Sequence, residues 1–203
     1  MTARFLRTIG GPVIRTYEVA AESRFNIYVN SIPGLHETTV STVIESTNGV
    51  PLIVERAMWW PGPTPATWHE AHVSAGSAAA GSRWGLAEGE QGGARGAETY
   101  ICIANTSSVD GQAKVSLVFD DGVVVDKTIA LPPNSRTTVY PPAEFPATFT
   151  PGSHRRFGTI VESLGGSPVD IVVERAMYWN AGGVWWAAGT GAMGTRLPVD
   201  AIR

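Results

Sequence analysis

One string of eight residues occurs twice in this chain of 203: IVERAMWW at 53–60 and VVERAMYW at 172–179. Both lie in longer matching stretches. Ser23 and Arg24 precede FNIYV as Ser135 and Arg136 precede TTVY, and VIES at 43–46 matches IVES at 160–163. The offset between the copies drifts from 112 to 117 to 119 residues. The extra residues of the second copy fall in PPAEFPATFTPGSH and SLGGSPVD, segments rich in Pro and Gly of the kind that loops between strands tolerate. A spacing of this size is that of a whole duplicated module and not of a solenoid repeat.

The match also runs upstream, placing Gly10 over Gly122. The second copy has still more chain, RWGLAEG at 83–89 and ETYICIAN at 98–105, with no counterpart ahead of Met1. The expectation is therefore a partial module at 1–82 and a complete one at 83–203. That organisation makes the chain a fragment of something longer. It also leaves the first module an open edge or a bare apolar face, so the chain is expected to self-associate or its two halves to pack closely across residues 73–83.

The local signals are those of β structure. VSLVFDDGVVVDKTI and FLRTIGGPVIRTYEV each read as two strands around a Gly-containing turn, and STVIESTNGVPLIVERAM as a further strand pair around Asn-Gly. Val, Ile and Thr dominate, and Pro or Gly interrupts every several residues, so helix is disfavoured. The stretch 73–82 reads as a linker between modules. The fold class expected is all-β, two antiparallel, immunoglobulin-like β-sandwiches in tandem, the first lacking its opening strands.

Strand alternation divides the repeated string into two faces. Val54, Arg56, Met58 and Trp60 share one, and Ile53, Glu55, Ala57 and Trp59 the other; in the second copy Val173, Arg175, Met177 and Trp179 oppose Val172, Glu174, Ala176 and Tyr178. Adjacent Glu and Arg thus point apart. Both faces are largely apolar, which predicts a central strand covered on both sides. Its charges then need partners elsewhere, and the structural ion pairs are sought among Glu55, Arg56, Glu174, Arg175, Glu45 and Glu162, with the register open.

Taken together, RWGLAEG, TYICIAN, PNSRTTV, IVES and VERAMYWN resemble a bacterial tandem-repeat module of large, often surface-exposed proteins. The resemblance implies a β-sandwich repeat in a surface or secreted protein, with an adhesive or scaffolding role. It brings no catalytic residues with it.

Signals for chemistry are sparse. His69, Glu70 and His72 superficially resemble the zinc motif H-E-x-x-H, but the second His comes one position early, and solvated loop histidines are the better reading. No G-x-S-x-G elbow occurs, and neither His36 nor His154 has a nucleophile evident nearby in sequence, although a hydrolase triad assembled in space stays open. The single cysteine, Cys102, excludes an internal disulfide framework and reads as a small buried hydrophobe. No catalytic residue, metal site or cofactor is assigned.

With a net charge of −3 and only two lysines, the chain carries no basic stripe for nucleic acid, and no apolar run approaches a membrane span. The residues after Met1 lack the pattern of a signal peptide. The aromatics are the stronger functional lead. Of the seven Trp residues, Trp59, Trp60 and Trp68 cluster at one repeated string and Trp179, Trp185 and Trp186 at the other. Trp59, Trp60, Trp68, Trp185 and Trp186 are the candidate ligand-binding residues, since exposed rings stack on sugars. Adjacent Trp residues on a strand point to opposite faces, so exposure of at least one of each pair is the expectation. A non-catalytic structural or adhesive module is the leading reading, with polysaccharide binding and hydrolysis as alternatives.

Overall fold

The computed structural model describes residues 1–61 and 68–198, with side chains at all of these except 61, 68 and 69. In chain order the strands are β1 (Thr2–Arg7), β2 (Val13–Thr16), β3 (Val40–Glu45), β4 (Glu55–Pro61), β5 (Trp68–Ala75), β6 (Arg83–Gly92) and β7 (Glu98–Asn105). They continue as β8 (Gly111–Phe119), β9 (Val124–Leu131), β10 (Ser135–Val139), β11 (His154–Ser163), β12 (Ile171–Ala181), β13 (Val184–Met193) and β14 (Thr195–Arg196). The protein is all-β, and every strand pairing described is antiparallel.

The larger part is a sandwich. One sheet has the order β14-β6-β11-β8-β9 and the other β10-β7-β12-β13. Alternation on these strands sends Val115, Leu117 and Val161 from the first sheet and Ile101, Ile103 and Val173 from the second into one fully buried core. Each such side chain contributes about 1.5–3 kcal/mol by leaving water. Trp84 enters the same core and satisfies its indole by donating to the carbonyl of Ile171 at 2.9 Å.

The N-terminal part is smaller. Strands β2-β1-β3 form a sheet whose inner face buries only Ala3 and Phe5, capped by Ile32 and Leu35 from the loop before β3. On the opposite face Leu6 is fully buried, and Arg4 donates to Asn134 Oδ1 at 2.5 Å just ahead of β10. Strands β4 and β5 make a separate two-stranded sheet.

The turns at Gly10-Gly11 and Gly122 occur where the sequence places them, and all three glycines have positive φ. The Asn-Gly at 48–49 does not close a hairpin. β3 pairs with β1 and β4 with β5, so this turn carries the chain from one sheet to another. The same happens between β11 and β12. Nor does the segment from 73 begin as a linker, because residues 73–75 complete β5.

Candidate functional site at the meeting of the two repeated hairpins

The hairpin β4–β5 lies flat on the outer face of β12–β13. Two glycines make the close approach possible. A methyl group on Gly191 would come within 2.9 Å of the His72 ring, and one on Gly189 within 3.0 Å of Trp60 Cη2. Glycine there leaves the sheet surface bare so that a further layer can settle.

The charges of the repeated strings meet across this contact. Arg56 grips Glu174 with both terminal nitrogens, Nη1 donating to Oε2 at 2.7 Å and Nη2 to Oε1. Ser74 Oγ adds a bond to Oε1 at 3.3 Å. A fork-to-carboxylate pair of this kind is the strong form of ion pair. Glu174 is nearly buried while Arg56 is partly open to water, so removing one partner costs about 1–3 kcal/mol rather than the full buried value.

His72 sits beneath the hairpin, edge-on to Trp60 at 6.1 Å. Both its ring nitrogens are buried without a hydrogen bond. Burial first, and then the neighbouring Arg56 cation, hold its pKa below the ordinary 6.5. It is no solvated loop histidine, because β5 pairs with β4 and alternation turns the residue into the contact.

The other charges go elsewhere. Arg175 turns inward, almost buried, and donates to Glu88 Oε2 at 2.8 Å. Glu45 pairs with Arg4 at 3.7 Å and Glu162 with Lys114 at 3.7 Å, so neither serves the repeated strings. Glu55 is exposed and has no ion pair among the described residues. On the outward face of β4 Ala57 and Trp59 are exposed, and Trp59 lies parallel to Tyr28 at 6.3 Å. Complete cover on both faces therefore holds for β12 and not for β4.

At the far end of β12 the two hairpin strands fall out of register between Trp179 and Ala181. Within this bulge Trp186 adopts φ +51°, the left-handed region. Trp185 and Trp186 consequently do not point to opposite faces. Their rings stack at 4.2 Å and 18°, and Trp186 stacks in turn on Tyr178 at 4.6 Å and 20°. Strand alternation fails here because the bulge inserts residues and the left-handed one resets the direction.

Hydrogen bonds hold Trp186 on three sides. Its backbone N–H donates to Asn180 Oδ1 at 2.9 Å, its carbonyl accepts from Trp60 Nε1 at 2.8 Å, and its indole donates to Glu98 Oε2 at 3.2 Å. The same carboxylate oxygen accepts from the Tyr100 hydroxyl at 2.6 Å. Tyr100 stacks on Tyr140 at 5.0 Å, and the Tyr140 hydroxyl accepts from Gln91 at 3.3 Å. Burial, then the bond to Glu98, pushes the Tyr100 phenol far above its ordinary pKa. Trp60 is thus a half-buried buttress, whereas Trp185 is 63 % exposed. The side chains of Trp68 and His69 lie outside those described.

Elsewhere, a nearly buried carboxylate, Glu90, is ringed by His154 at 3.0 Å, Arg156 at 3.5 Å and Arg95 at 3.6 Å. Among the described residues none of His36, His72 and His154 is hydrogen-bonded to a hydroxyl or thiol, and no group of three or more His, Cys, Asp or Glu is placed to hold a metal ion. Cys102 is buried on the outer face of β7, its thiol pKa raised by burial, with Arg136 Nη2 at 2.9 Å. No helix among the described residues is long and apolar enough to cross a membrane.

No family model matches the chain, and no curated protein matches it. Part of it is similar to the crystal structure of Thermotoga maritima 1070, with 16% identity over 58% of this chain and 96% of that one, at a TM-score of 0.46. Part is likewise similar to the Anabaena sensory rhodopsin transducer, with 19% identity over 48% of this chain and 87% of that one, at a TM-score of 0.40. Neither likeness is close enough to carry an argument about what this chain does.

Proposed function

We propose that this chain is a non-catalytic β-sandwich repeat, acting as a structural or adhesive element of a bacterial surface or secreted protein. The observation that carries this reading is the grip of Arg56 in one repeated string on Glu174 in the other. A contact made by the repeat motif itself is the means by which neighbouring modules become one stiff unit and transmit load. The pairing order supports the same reading. β1, β2 and β3 align in sequence with β8, β9 and β11, and the sheet orders β2-β1-β3 and β9-β8-β11 correspond; β4–β5 likewise corresponds to β12–β13. On this reading residues 1–82 are a module without counterparts of β6 and β7. Its strand β4, paired with β5 alone among the described residues, offers an open edge to a second chain.

Antibody labelling of intact cells of the source bacterium tests the location, with labelling lost after external protease as the expected result. Labelling that appears only after permeabilisation overturns it. Light scattering on the purified chain tests the edge, and association that grows with concentration is expected.

A further inference from the structure

The ring stack at the bulge ends in a flat, open face, and we propose that it is a binding platform for neutral polysaccharide, with Trp185 as the stacking residue. This goes beyond the structural reading above and does not depend on it.

Exposed tryptophan alone is unremarkable on a protein surface. Here, however, the backbone is strained to present it. Trp186 is a bulky residue in the left-handed region, where only glycine sits without penalty. Such outliers persist when their surroundings over-determine them, and they concentrate at binding sites. Three hydrogen bonds and three ring contacts, with Tyr100, Tyr178 and Trp185, over-determine this one. A glycine would close the same bulge without strain, but the second ring of the stack would be lost. The strain is thus tied to the placing of the rings. One face of Trp185 rests nearly parallel on Trp186, and the residue as a whole is 63 % exposed.

The surroundings define the ligand class. A flat indole matches the C–H face of a pyranose with equatorial hydroxyls, which then project sideways to polar groups. Glu98, bonded to the second ring of the stack, uses only Oε2 among the described residues, which leaves Oε1 as an acceptor. Further off, on the far side of Tyr100 from the stack, the Tyr140 hydroxyl accepts from Gln91 and keeps its proton to donate. Arg95, the cation nearest the Trp179 ring, is engaged by that ring and by Glu90. With Glu98 at the stack and a net charge of −3, acidic polymers are repelled and neutral ones are not. Trp60 of the first repeat braces the carbonyl of Trp186, so the platform belongs to both repeats together.

Native affinity electrophoresis of the full chain tests the proposal, in gels containing hydroxyethylcellulose, xylan or glycol chitin, with polygalacturonate as the acidic control. Retardation by at least one neutral polymer and none by polygalacturonate is expected. Trp185→Ala should weaken that retardation about tenfold or more, Trp185→Tyr should restore part of it, and the thermal midpoint of both variants should match the parent. No retardation by any neutral polymer overturns the proposal, as does equal retardation of parent and Trp185→Ala. Light scattering on the same samples separates a protein ligand: if Trp185→Ala abolishes self-association while polysaccharide has no effect, the ring is a protein contact and the platform is not a sugar site.

Discussion

The two copies of the repeated string, one ending in β4 and the other wholly within β12, meet opposite fates. β12 is central, flanked by β7 and β13, with Val173 in the sandwich core, Met177 buried further along the same face, and its outer face covered by another layer. β4 is flanked by β5 alone among the described residues; Val54 is exposed and Met58 only half buried. The partner strands explain part of the difference. Opposite Tyr178 and Ala176, β13 places Gly189 and Gly191, whereas opposite Trp59 and Ala57, β5 places Ala71 and Val73. Two bare positions make one hairpin able to receive a layer, and their absence leaves the other as the layer that is received. Identical motif strands thus become core or cover according to what stands beside them.

The largest effect that can break this comparison is a truncation made in both strands. Met177→Ala should cost about 2–5 kcal/mol, the range for large-to-small changes in a packed core, while Met58→Ala should cost well under half as much. Equal losses in chemical denaturation would mean that the two strands are equivalently packed.

Gly191→Val comes next. Its side chain would overlap His72, and overpacking of this kind costs about 1–3 kcal/mol. Limited proteolysis within 55–75 should become faster while the sandwich core keeps its melting transition. A variant as resistant as the parent would show that the hairpin does not lie on β13.

A smaller, pH-dependent effect follows from His72. The docked hairpin favours its neutral form, since burial and Arg56 hold its pKa below 6.5. The undocked state therefore binds more protons as the solution acidifies, and stability is lost as pH falls below 6.5 and is fully present above it. His72→Gln should flatten the melting temperature between pH 7 and 5. A parent protein that stabilises on acidification over this range would contradict the placement of His72.

These contrasts also mark what the residues announce in advance. The hairpins at Gly10-Gly11 and Gly122 are legible because two β-rich runs flank a glycine-containing turn, which is a local property. So is the inward set of the sandwich, since Ile101, Ile103 and Val173 follow from alternation within a strand. The Asn-Gly at 48–49 misleads because period-two patterning says which face a residue takes and not which sheet its strand joins. The Trp185–Trp186 stack is hidden for another reason: a left-handed residue inside a bulge cancels the alternation that would separate the rings. Pairing of Arg56 with Glu174 bridges 118 residues between layers, and nothing in either string sets the alignment of one sheet on another. Glycines at 189 and 191 were the available signal, being two strand positions on one face with no side chain.

The central claim, that the first repeated string docks on the second through its own charges, is tested most directly by a double-mutant cycle on Arg56→Met and Glu174→Gln. Each single variant should lose about 1–3 kcal/mol in denaturant unfolding, and the double variant should lose little more than either alone, giving a coupling energy of about 1 kcal/mol or more. Strictly additive losses, with Glu55→Gln as costly as Glu174→Gln, would contradict the account.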